Sequence, residues 1–202
     1  MASVLAGFRP VGHLNGSKWN GQVNRYMIPA ADASVTNVGD FVQLSTDAAI
    51  VDPVTGGVYP AVCRISSDTA TAIVGAVVGF APDFSNLNTP NFRAASTYRV
   101  VLVADAPDTI YQGPQDGVGG VVAAASVGLN VAIARGTGSS SGSYASNMSV
   151  DSSTVATTAT LPLQILGVVA SPDNDVTSTS RPAELKVRVN TAAFQSAGVA
   201  GV

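Results

Sequence analysis

No stretch of this sequence can sustain a helix. Its apolar runs are short, crowded with Val and Ile, and cut every few residues by Gly, Pro, Asn or Asp. β-Branched side chains lose rotamer freedom in a helix and pack well on a pleated surface. Helix formers are scarce: Glu184 is the single Glu, and Lys18 and Lys186 are the only lysines. The best helix candidate, residues 121–126, is bounded by Gly119, Gly120 and Gly128. It offers one turn at most, because helix nucleation is costly.

Strands are expected at residues 40–44 (DFVQL), 72–80 (AIVGAVVGF), 98–104 (YRVVLVA), 108–112 (DTIYQ), 130–134 (NVAIA), 161–170 (LPLQILGVVA) and 184–189 (ELKVRV). The run at 72–80 is apolar throughout, as a strand buried on both faces would be. At 184–189, Leu185, Val187 and Val189 alternate with Glu184, Lys186 and Arg188, so one face meets water. Asp105-Ala106-Pro107 marks a corner between two strands. Many short strands separated by turn residues predict an all-β sandwich or barrel.

The chain also resembles itself. Residues 38–44 (VGDFVQL) align with 127–133 (VGLNVAI), and 73–78 (IVGAVV) with 165–169 (ILGVV), each second run leading to a Pro-Asp turn. Two related lobes, 38–83 and 127–173, are expected within one β-domain spanning residues 31–190. Residues 1–30 differ. Phe8, Arg9, His13, Trp19, Arg25 and Tyr26 gather there around Asn15-Gly16 and Asn20-Gly21. Arg and aromatic residues dominate interface hot spots, so this segment is expected as an extended N-terminal arm or hairpin. Residues 191–202 lack a strand pattern and are expected as a mobile tail.

Chemistry is hard to assemble from these residues. Charged side chains make up 11% of the chain, against about 25% in an average soluble domain. His13 is the sole His and Cys63 the sole Cys, so no intrachain disulfide or Cys-based zinc site can form. Cys63 sits in an apolar strand-like context, where a buried, inert thiol is expected. Most of the twelve Asp residues adjoin Pro, Gly, Ser or Asn, where turn chemistry accounts for them. Asp173-Asn174-Asp175 lacks the Gly and distal Glu of a calcium loop. The GTGSSSG run at 136–142 is followed by neither a Lys nor a helix, so a phosphate cradle fails. It is expected as a flexible loop tip. No catalytic residue, metal or cofactor is expected, and an enzyme is set aside. The eight arginines are scattered and the pI is near 4.8, so nucleic acid is not the expected partner. No apolar run is long enough to span a membrane as a helix. The N-terminus lacks the basic region of a secretory signal, so the chain is expected to be made in the cytoplasm and left unprocessed.

The segments GFRPVGHLNGSKWNGQVNRYMIP, VGDFVQL, IVGAVVGFAPDFSNLN, RVVLVADAPDTIYQ, VGLNVAI and TTATLPLQILGVV together resemble the head decoration, or capsid cement, proteins of tailed bacteriophages. The resemblance covers nearly the whole chain, leaving out residues 113–120 and the tail from Thr191. It implies a β-rich virion protein on the capsid exterior that bridges major capsid subunits and stabilises the head. It also implies self-association, a homotrimer ahead of a dimer. The residues expected to touch the capsid or a sister subunit are Phe8, Arg9, Trp19, Arg25 and Tyr26. Phe84, Leu87 and Phe92 join them, as apolar residues in the turn-rich loop 81–93. The alternative is a tail-fibre or receptor-binding β-module, including a glycan-binding one, for which a single Trp and 6% aromatic residues are a thin supply.

Overall fold

Fourteen short strands, paired almost throughout in antiparallel fashion, use up the β-branched runs. The computed structural model describes residues 7–84, 86, 88–140, 145–175 and 183–194. In chain order the strands are β1 (Arg9–His13), β2 (Asn24–Ile28), β3 (Thr36–Asn37), β4 (Phe41–Val51), β5 (Val58–Arg64), β6 (Ile73–Phe80), β7 (Phe92–Arg93), β8 (Arg99–Ala104), β9 (Thr109–Pro114), β10 (Asn130–Val131), β11 (Ile133–Ala134), β12 (Ser149–Val150), β13 (Leu163–Val168) and β14 (Glu184–Val189). Among the described residues, helical structure is confined to two short 3-10 turns, Ala124–Ser126 and Ser152–Thr154. The fold is all-β.

Strands β2, β5, β4, β6 and β8 close into a barrel in that order, with β2 and β5 parallel at Met27–Ala61 and the other neighbours antiparallel. A second ring repeats the plan. Strands β9, β14, β13 and β10 pair in sequence. The chain runs from β10 through Ala132 into β11, which pairs with β12. A parallel bridge between Gln115 and Val150 then returns β12 to the end of β9. Strand β1 adds to the outer edge of β9.

The two rings match bond for bond. Phe41 faces Ala76 and Val42 faces Gly75, as Asn130 faces Gln164 and Val131 faces Leu163. A bulge between Val77 and Gly79 recurs between Ile165 and Gly167. Beyond it, Ala81 N–H donates to Val100 at 3.0 Å, and Val169 N–H to Glu184 at 3.1 Å. In space, Val77 therefore answers Ile165. The alignment that set Ile73 against Ile165 has the second strand out of register, because IVG and ILG look alike while the bulge glycine is Gly79.

Interior residues follow the same correspondence. Val42, Val62, Val77, Val101 and Val103 are buried in the first barrel, and their counterparts Val131, Val150, Ile165, Leu185 and Val187 in the second. The outward faces of β4, β6 and β8 are not left wet. Phe41, Ala76 and Ala104 join the core of the second barrel with Phe8 and Tyr111. Phe8 and Phe41 rings lie 4.5 Å apart, and Tyr111 meets Phe41 edge-on at 5.2 Å. Burying each such side chain stabilises the fold by roughly 1.5–3 kcal/mol. This shared layer explains why residues 72–80 are apolar on both faces.

Residues 7–28 are a working part of both barrels, not an arm. Strand β1 pairs with β9, and β2 is a stave of the first barrel. The Asn15-Gly16 turn lets His13 N–H reach Ser17 O at 2.9 Å. The start of the tail is held too. Ile73 N–H donates to Thr191 O, and Ala193 N–H returns to Ile73 O at 2.8 Å. Residues 195–202 lie outside the described residues.

Candidate interaction surface

Burial separates the expected contact residues into two groups. Phe8, Tyr26 and Phe92 are interior, so they are corrected from surface to core. Phe8 packs so tightly that a Cβ on Gly113 would lie 2.4 Å from its ring. The Tyr26 hydroxyl donates to Asp105 at 2.6 Å, and burial with that carboxylate beside it pushes its pKa upward. Phe92 is on β7, paired with β3. Trp19 is partly covered and leans on the core of the second barrel. Arg9 is exposed and binds Glu184 at 3.0 Å, tying β1 to β14 across β9. Arg25 is exposed on β2, and Leu87 lies outside the described residues.

Phe84 is the expected residue that stands out in solvent, 71% exposed. It does not stand alone. Strands β4 and β5 form a hairpin whose outer part carries Val51, Val54 and Val58, all exposed. Its tip is shaped by Asp52, whose carboxylate accepts from Val54 N–H at 2.9 Å and Thr55 Oγ1 at 2.5 Å. Those two donors hold Asp52 below the ordinary carboxylate range. Val54, Phe84 and Tyr98 rim a cleft of about 250 Å³ floored by Met27 and Val100, with Arg99 in its wall. The Arg99 guanidinium lies 5.5 Å from the Phe80 ring centre, and burial lowers its pKa. Val54 and Tyr98 were not picked out from sequence. Turn residues DPVTGG between two alternating runs were the available signal for the hairpin.

A second, wider cleft of about 520 Å³ lies against Trp19, with His13, Pro107 and Phe194 in its wall. His13 Nδ1 sits 3.1 Å from Asp108 Oδ1, which ties the imidazole to the β8–β9 corner. Cys63 is half-buried on β5, and desolvation pushes its thiol pKa up. No three His, Cys, Asp or Glu residues come together to hold a metal among the described residues. Among the described residues, no helix is long and apolar enough to cross a membrane.

The buried charges are structural. Asp40, fully enclosed, accepts from Arg64 Nε at 3.0 Å, Asn37 N–H at 2.9 Å and Ser146 Oγ at 2.5 Å. Arg64 then donates through Nη2 to Arg135 O at 2.6 Å and Gly136 O at 3.1 Å. One ion pair thus ties the first barrel to Arg135, Gly136 and Ser146. Arg93, fully buried, donates to the carbonyls of Pro29, Asp32, Ser34 and Thr97 and pins the loops around them. Of the expected flexible loop 136–143, residues 136–140 are held here, and 141–143 lie outside the described residues. Asn37 Nδ2 donates to Ser139 O, and Ser139 N–H to Asn37 Oδ1, both at 2.8 Å. Gly138 lies so near Val35 that a Cβ would clash with its carbonyl at 2.3 Å.

No family model, no characterised protein and no solved structure matches this chain.

Proposed function

We propose that this protein is a structural virion component that seats on the outer surface of a tailed-phage capsid and bridges major capsid subunits. The sequence resemblance supplies the partner. The observation that carries the reading is the group of exposed apolar side chains, Val54, Phe84 and Tyr98, around a cleft whose lining also holds Asp52, Asp83 and Arg99. Grouped exposed apolar residues on an otherwise polar surface mark an interaction site. A double barrel sharing one apolar layer is a stiff support for it. Because a capsid offers many copies of the same site, weak individual contacts are strengthened wherever a bound oligomer engages several at once.

The test is co-sedimentation with heads purified from a tailed phage carrying this gene. The protein should pellet with the heads and raise the temperature at which they rupture. Phe84→Ser combined with Tyr98→Ser should abolish pelleting while leaving the protein's own melting temperature unchanged, since both side chains are largely exposed. Undiminished pelleting of that variant would overturn the assignment of the surface. Absence of wild-type pelleting would overturn the capsid reading.

A further inference from the structure

The internal repeat leaves one surface of each barrel without its counterpart. The described part of the β11–β12 connection of the second barrel lies over the first barrel. Its residues 135–140 and 145–146 meet the strip 35–39, through the paired Asn37–Ser139 amide bonds, the Val38–Ala145 bridge and Gly138 against Val35. The reciprocal contact is missing. The segment equivalent to 37–39 is 126–128, matched through Gly39 and Gly128; ahead of it the first barrel has strand β3 and the second the 3-10 turn Ala124–Ser126. Asp40 N–H donates to Asn37 O at 3.1 Å, as Leu129 N–H does to Ser126 O. Residues 35–39 are covered, yet Ala124, Ala125 and Val127 are exposed. The hairpin equivalent to 135–148 is the outer part of β4–β5, and it is exposed at Val51 and Val58.

An interface in which one copy's hairpin covers the other's strip, but not the reverse, is heterologous, and it leaves one free hairpin and one free strip. We infer that the β4–β5 hairpin of one chain seats on the 124–128 strip of a second copy, at the place on the second barrel equivalent to the one covered on the first, with apolar packing in place of the Asn37 amide bonds. The residue sizes are exchanged. Inside the chain a glycine of the hairpin faces Val35; between chains the hairpin valines face Ala124 and Ala125. The strip 124–128 carries no charged residue, while the hairpin carries Asp47 and Asp52 beside its valines. Repetition of such a contact closes into a ring if the rotation allows, and otherwise propagates. This does not rest on the capsid reading: it concerns chains in free solution and uses Val51 and Val58 rather than Phe84 and Tyr98.

Light scattering on the purified full chain should give a mass above one chain that rises with concentration. Val58→Asp and Val127→Asp should each return it to a single chain with unaltered circular dichroism. Directionality is read by disulfide capture in a Cys63→Ser background. Val58→Cys chains mixed with Val127→Cys chains should cross-link on oxidation, and neither should cross-link alone. A wild-type chain that stays single at every concentration overturns the inference. So does a Val58→Cys chain that cross-links efficiently to itself, since that reports a face-to-face contact.

Discussion

Gly39 and Gly128 occupy one position in two barrels. Each has φ +92°, and each donates its N–H at 2.8 Å to the strand alongside, Gly39 to Val77 and Gly128 to Ile165. The positive φ turns the chain into the first strand of the β4–β6 and β10–β13 pairs. It also explains why a Val-Gly pair recurs at both sites in the sequence.

Side chains with a Cβ are strained at positive φ by about 1–2 kcal/mol per residue. Gly39→Ala and Gly128→Ala are each expected to lose stability of that order. Urea unfolding checks this, and the two losses should be alike within experimental scatter.

Two glycines of one strand separate backbone need from space. A Cβ on Gly75 would lie 1.9 Å from Ala104 O, whereas on Gly79 it would meet only the Leu102 side chain at 3.8 Å. Gly75→Ala must push β6 from β8 and should cost about 1–3 kcal/mol or more. Gly79→Ala should stay within about 0.5 kcal/mol of wild type. Paired melting curves decide it.

Removing Asp40 strands Arg64 in the interior. Asp40→Ala should destabilise by about 3–5 kcal/mol, the usual effect of breaking a buried pair from one side. Asp40→Ala with Arg64→Met should recover part of that loss, because no buried charge is then left unpaired. A double-mutant cycle in denaturant reads the difference.

Burial raises the Asp40 pKa above the ordinary carboxylate range, against the opposing pull of Arg64 and the Ser146 and Asn37 donors. The folded state therefore holds its proton at pH values where the unfolded chain has released it. Asp40's contribution is fully present below the unfolded carboxylate pKa and declines as pH rises through the folded value. The stability gap between wild type and Asp40→Asn should shrink from acid towards neutral pH. Unfolding midpoints of both proteins across that range test the sign.

Strand positions were legible where the pattern was local. Residues 184–189 alternate and form β14 with Leu185, Val187 and Val189 buried. The apolar run at 72–80 became β6, covered on both faces. Residues 1–30 were legible only as an arm or hairpin, without strand bounds or partners, because RPVGH and NRYMI show neither clean alternation nor an apolar run. Their pairing partners β9 and β8 lie far along the chain. Of the exposed apolar group proposed as an interaction surface, only Phe84 was legible. Tyr98 and Val54 reach the same cleft because a hairpin and a loop from separate stretches meet over β8.

Charge scarcity, β-branched runs and turn residues by themselves determined an all-β chain with a repeated Gly-led strand pair. These are local properties, set by side-chain rotamers and backbone φ. Whether an aromatic residue faces solvent is not local. Phe8 and Phe84 look alike in sequence, yet one closes the layer between the barrels and the other projects into solvent beside the β4–β5 hairpin. Only the tertiary structure decided that, because burial depends on which distant strands converge on a side chain.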